Sequence, residues 1–196
     1  MNDQKAGLVI GKSFRLLLVM LAWVVLGMGQ NGFAEPPESR EYQVKAAFLY
    51  NFVKFVEWPA KAFSDDQSAI IVAIVGDDPF GTAIETIKDK KAKGKSLVIN
   101  SFAKIEDVDN CHILFISRSK ERHLDSILAY VRDRHVLTIG DMEDFAQRGG
   151  IIHFVTSGNR IGFKINMDAA ERAGLKISSR LLKLADIVRD KQEKDN

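Results

Sequence analysis

The chain has one cysteine and four histidines among its 196 residues. Cys111 has no second thiol to meet, so an intramolecular disulfide is excluded even in an oxidising compartment. His112, His123, His135 and His153 form no ligand-spaced pair, and the cysteine adjoins only the first of them. A metal centre is therefore not expected. There is no glycine-rich dinucleotide fingerprint, no phosphate loop and no Gly-x-Ser-x-Gly nucleophile elbow. No cofactor is expected. A long apolar run is missing too. Leu16 to Met28 is unbroken by charge, but it falls short of the roughly 20 residues that a bilayer span needs.

What stands at the N-terminus instead has the form of a secretory leader. Lys5, Lys12 and Arg15 give a basic front, the apolar run follows, and Gly32-Phe33-Ala34 puts small residues where a signal peptidase cuts. We expect residues 1–34 to be a signal peptide cleaved after about Ala34, with an uncleaved membrane anchor as the alternative. The leader holds three of the 28 basic and one of the 26 acidic residues, which leaves 25 of each in the mature chain. A formally neutral body gives no bulk-charge argument for a nucleic-acid partner. The mature form has no membrane span of its own. Residues 35–40 read as a linker, 41–190 as one domain and 191–196 as a charged tail. That length buries a core without staples.

The body is organised around Ala69-Ile70-Ile71-Val72-Ala73-Ile74-Val75-Gly76-Asp77-Asp78-Pro79-Phe80-Gly81. Its first seven residues are apolar without alternation, as in a strand buried on both faces of a parallel sheet. Gly76 turns the chain, and Asp78 is placed to cap a helix opening at Pro79 and running to about Lys90. Before it, Glu41 to Trp58 reads as one long helix stopped by Pro59, its apolar face formed by Val44, Phe48, Leu49, Phe52, Val53, Phe55 and Val56. After it, 96–101, 111–117 and 136–139 read as strands. A helix is expected over 118–131 and a short helical segment over 142–147. The basic run from Lys88 to Lys95 reads as a helix C-terminus closed by Gly94. Ile151–Val155 and Ile161–Ile165 flank Ser157-Gly158-Asn159-Arg160 as an antiparallel hairpin. Asp168 is expected to cap a short helix, and Ser178 or Ser179 a final one reaching Val188. Alternating strands and helices imply an α/β fold with a mostly parallel sheet of order 2-1-3-4, extended by the hairpin and flanked by helices.

Few residues suggest chemistry. In open α/β sheets ligands sit beyond the carboxyl ends of strands, where the order reverses. That places Asp77 and Asp78 against Ser117 and Arg118 as a candidate ligand crevice, with Asp141 nearby after the fourth strand. Asp77 and Asp141 are paired carboxylates only if they flank one pocket; otherwise an Asp after Gly simply turns the chain. Arg118 has the anion-binding alternative to a surface ion pair. Trp58 and Phe63 are either an exposed partner surface or core filling. Lys45 interrupts the apolar helix face. It either snorkels to water or pairs with a carboxylate, because an unpaired buried ammonium is costly. Cys111 is a small core hydrophobe or an intermolecular thiol.

Several of these segments together resemble the YfiR family. They are Tyr42 to Phe52 with Lys54-Phe55 and Trp58-Pro59, Gly76 to Gly81, Cys111 to Ile116, Leu137 to Asp141, Phe163 to Asn166, and Ala173 to Leu182. They occur in order from about Glu41 to Val188. The resemblance implies a Rossmann-like sheet and a periplasmic, non-enzymatic repressor. Its partner would be the periplasmic portion of an inner-membrane diguanylate cyclase, held quiet so that cyclic di-GMP and biofilm stay low. It also implies a homodimer tuned by disulfides. With Cys111 alone, only a bond between subunits remains, and the strand position of Cys111 argues against that. A periplasmic small-molecule receptor using the Asp77–Arg118 crevice is the alternative.

Overall fold

The computed structural model describes residues 37–63, 69–158 and 160–190. The expected leader and tail, residues 64–68 and Asn159 of the expected hairpin loop lie outside the described residues. The first element is helix α1, Pro37–Phe55. It opens four residues earlier than expected, because a proline at the first helical position has no amide hydrogen to leave unpaired. The expected linker therefore ends inside the helix. It also closes earlier, at Phe55, where Val56–Glu57 becomes a short strand, β1.

An eight-stranded sheet forms the centre. Its strands in chain order are β2 (Ile70–Val75), β3 (Lys91–Ala92), β4 (Lys95–Phe102), β5 (Ile113–Ile116), β6 (Leu137–Gly140), β7 (Ile152–Ser157), β8 (Arg160–Asn166) and β10 (Asp186–Val188). Their spatial order is β10-β8-β7-β6-β5-β2-β4-β3. The run β4-β2-β5-β6 is parallel throughout and has the order expected for the four principal strands. Strand β7 joins parallel to β6, and β8 returns antiparallel to β7 as the hairpin. Outside this sheet, β1 pairs antiparallel with β9, Lys176–Ile177.

The sheet is covered on both faces. Ile70, Val72 and Ile74 of β2 point into one core with Leu49, Phe52 and Val53 of α1, while Ala73 and Val75 point into a second core with Leu124, Ile127 and Val131. The latter three belong to helix α2, Leu124–Val131. This is the period-two alternation of a strand whose two faces are both dry. Each large side chain fully withdrawn from water contributes about 1.5–3 kcal/mol.

Several local expectations are corrected. No α-helix spans 79–90; Asp78 Oδ1 accepts from the Phe80 amide, 2.8 Å away, and one 3-10 segment, Gly81–Thr86, follows. The lysine run is not a helix end. It builds the tight β3–β4 hairpin, where Lys93 and Gly94 take φ of 53° and 78°. Lys93 Nζ donates to the Val56 carbonyl just beyond α1, so a helix end is indeed served, but a different one. The segment 118–131 begins as a 3-10 helix, Arg118–His123, and turns α-helical only from Leu124. Residues 142–147 form turns rather than a helix. Helix α3, Met167–Arg172, is capped by Asn166, whose side chain accepts from the Ala169 amide, and not by Asp168. Ser178 caps the last helix, α4, which is only Ser179–Leu182. The chain then enters β10 beside β8, where a helix was expected. Strand propensity was masked there by Leu and Ala spaced as on a helix.

The buried stripe of α1 also differs from the expected one. Tyr42, Lys45, Ala46, Leu49, Phe52 and Val53 are buried, whereas Val44 is 44% exposed. The helix is rolled so that Lys45 faces inward. The partner that draws it in lies on the far side of the sequence.

Candidate functional site

Lys45 is 1% exposed. Its Nζ lies 2.5 Å from Asp141 Oδ2 and 2.5 Å from Glu41 Oε1. Asp141 follows the last residue of β6, so the parallel strand delivers its carboxylate to the carboxyl edge of the sheet, beneath α1. Tyr42, one helical turn before Ala46, donates its hydroxyl to the same Oδ2 at 2.8 Å. Its ring lies 4.3 Å from Lys45 Nζ. Thr156 of β7 donates to Glu41 Oε1 at 2.9 Å. Arg118 donates to the Asp141 backbone carbonyl at 3.0 Å. Four segments distant in sequence thus meet at one buried ion pair.

Charge governs the protonation states here. Burial by itself raises the Asp141 carboxyl, but the hydrogen bond and charge of Lys45, helped by Tyr42 and Arg118, outweigh it and hold the group below the usual carboxylate range. Burial pushes the Tyr42 hydroxyl upward, and the Asp141 charge adds to that. Tyr42 therefore stays a neutral donor. Asp141 Oδ1 and His153 Nδ1 are buried without a partner among the described residues. Burial holds the His153 imidazole below its ordinary value, hence neutral.

The expected crevice between β2 and β5 brings some candidates together and separates others. Ser117 caps the 3-10 helix that carries Arg118. The Asp77 amide donates to Ser119 Oγ at 2.9 Å. Asp78 accepts from Ser101 Oγ at 3.2 Å. Asp77 and Asp78 stand exposed at the rim, while Asp141 is turned under α1. Gly76, with φ of 98°, packs so closely there that a Cβ would lie 2.5 Å from Ser119 Oγ. Arg118 is joined to Asp141, whereas the Asp77 carboxylate is not.

Trp58 and Phe63 are half-buried, packed against the core and clamped on one histidine. Phe63 stacks on His112 with ring centroids 4.5 Å apart, and Trp58 Nε1 donates to the His112 carbonyl at 3.1 Å. The Ile71 amide donates to His112 Nδ1 at 3.0 Å, and Nε2 lies 3.1 Å from the Ala62 carbonyl. An acceptor at Nδ1 and a donor at Nε2 define one neutral tautomer. Burial lowers the His112 pKa accordingly. Cys111 next to it is half-buried and free, its thiol pushed up to about 12 by burial.

Among the described residues no group of three or more His, Cys, Asp or Glu side chains is arranged to hold a metal ion. No helix there is long and apolar enough to cross a membrane. Sequence reasoning missed Glu41, Tyr42 and Thr156. The spacing of Glu41 and Lys45, four apart with the acid first, was the available signal for one of them.

The chain is thus an α/β protein whose mostly parallel sheet carries a buried lysine–carboxylate pair at one edge. Residues 42–186 match the model of the YfiR/HmsC-like family, and the chain belongs to that family. No curated relative matches it. Among solved structures, a conserved domain protein from Vibrio cholerae O1 biovar El Tor strain N16961 is 12% identical, with a TM-score of 0.49. An ABC domain from Streptococcus pneumonia in complex with L-Trp is 9% identical, also with a TM-score of 0.49. The alignments cover 76% and 75% of this chain and 60% of each of those chains.

Proposed function

We propose that this chain is a periplasmic regulator that binds the sensor portion of an inner-membrane diguanylate cyclase and represses it, lowering cyclic di-GMP. The observation that carries this reading is the family match over residues 42–186. The Rossmann-like descent of its sheet and its export by residues 1–34 belong to the same reading. The buried pair supports it in a limited way: Lys45 and Asp141 are spent on each other, which suits a structural tie better than acid–base work. Such a regulator works without catalysis. It shifts the cyclase toward its quiet state only by its differential affinity for that state, and a shift from 1:99 to 99:1 needs about 5.5 kcal/mol of it.

The test is deletion of the gene, with cyclic di-GMP measured in the deletion strain and in strains complemented by the full chain or by a chain starting at residue 35. A rise on deletion, reversed by the full chain and not by the leaderless one, is the expected result. No rise on deletion would end the repressor reading.

A further inference from the structure

A cavity of about 320 Å³ opens at the amino edge of the sheet, opposite the Lys45–Asp141 pair. It lies where the chain enters β5 and β6. Ile105, Val108, Val131 and Val136 give it an apolar floor, and all four are buried. Its polar lining includes Lys61, Arg134, Asp109 and Asn110. The Arg134 guanidinium rests over the Tyr130 ring, 4.3 Å from the centroid. Among the described residues it has no carboxylate or carbonyl partner, so its fork of N–H donors is unspent. The Lys61 ammonium likewise makes no ion pair or hydrogen bond among the described residues.

We propose that this cavity binds a small organic monoanion, a carboxylate on an apolar body. Its volume lies at the lower end of the range for ligand pockets, roughly 300–1,000 Å³. The four aliphatic side chains would bury the body of the ligand. Arg134, already resting over the Tyr130 ring, would take the carboxylate through two parallel N–H donors. Lys61 would add a second positive charge. Asp109 removes one, so the lining carries a net charge of one, and it favours a monoanion over a multiply charged phosphate ester. The cavity is remote from the Asp77–Arg118 crevice and uses none of its residues. Its occupancy can be measured on the purified chain, whatever the partner protein is.

Cys111 supplies a built-in reporter, because it lines the same cavity. The experiment titrates phenylacetate against the purified chain by calorimetry, with phenylacetamide as the neutral isostere. A second readout is the rate at which Cys111 reacts with iodoacetamide. Saturable phenylacetate binding is expected with Kd on the order of 1 mM, as suits about ten heavy atoms. Cys111 alkylation should slow at least twofold at saturation. Arg134→Met should weaken binding about 10-fold or more, the loss expected for a charge-assisted pair. Asp109→Asn should tighten it a few-fold. Both side chains stand at the surface, so both variants fold. Absence of saturable binding, equal binding of phenylacetamide, or an unchanged Kd in Arg134→Met would each overturn the proposal.

Discussion

Replacing Lys45 by methionine removes one charge from a place that water does not reach. The side chain of Asp141 is 4% exposed and keeps only the Tyr42 hydroxyl as a partner for Oδ2. Its Oδ1 is unpartnered already. Methionine fills nearly the same volume, so the packing loss is small and the penalty is electrostatic. Breaking one side of a buried pair costs about 3–5 kcal/mol. At about 2–4 °C per kcal/mol for a chain of this size, the midpoint should fall by roughly 6–20 °C. Asp141→Asn should cost less, about 1–2 kcal/mol, because Lys45 retains Glu41 and the amide oxygen still accepts from Tyr42. The informative measurement is the double variant. With both charges gone, Lys45→Met with Asp141→Asn should be more stable than Lys45→Met alone, which needs a coupling energy above the Asp141→Asn loss, about 2–3 kcal/mol. Urea denaturation followed by tryptophan fluorescence and circular dichroism supplies the four free energies. Strictly additive losses would show that the pair is a geometric coincidence and would refute the reasoning.

Two further predictions concern the edges of the sheet. His112 is held neutral with its pKa below the unfolded value of about 6.5, so its contribution is complete above that pH and is lost as pH falls toward the folded pKa. Unfolding free energy should therefore decline on acidification from pH 7 to 5, before the carboxylates titrate, and His112→Asn should start lower and show a shallower slope, the remainder coming from buried His153; a flat profile in the parent chain would contradict the His112 clamp. Gly76→Ala places a Cβ at positive φ and 2.5 Å from Ser119 Oγ, so it should cost about 2 kcal/mol or more in thermal unfolding, and Ser119→Ala should restore only the clash and not the backbone strain.

The centre of the sheet was legible because two of its strands are continuous apolar runs and because Gly76-Asp77 and Gly140-Asp141 close β2 and β6. Ile70–Val75 and Ile113–Ile116 announce strands buried on both faces, although the connections between them hold 3-10 segments and strands where a helix was expected. Short elements were not legible. Asp186–Val188 is a strand only because β8 offers it an unpaired edge, and nothing local in the sequence records that offer. The lysine hairpin was mistaken for a helix end because lysine suits either, and φ values decide between them. The roll of α1 was hidden for a different reason. Hydrophobicity puts Val44 on the apolar face and leaves Lys45 as an interruption of it, whereas a carboxylate 96 positions away holds Lys45 buried and Val44 is 44% exposed. The pairing of Lys45 with a carboxylate was one of two readings open from the sequence. The identity of that carboxylate required the topology.

The ties made by α1 reach far along the chain. Tyr42 and Lys45 wait for Asp141, and Glu41 waits for Thr156, 115 positions on. A polypeptide that emerges with its amino end first therefore carries the Tyr42 and Lys45 side chains without Asp141 until about three quarters of the sequence has appeared, although β2 is there to receive the apolar face earlier. Every truncation before β6 leaves Lys45 on an apolar face with only Glu41, four residues before it on the same helix, to neutralise it. Loop closure over such a span is paid before any reward, so closure of this layer should be the slow step of assembly. The same delay keeps the layer formed by this helix loose until the last quarter of the chain is made.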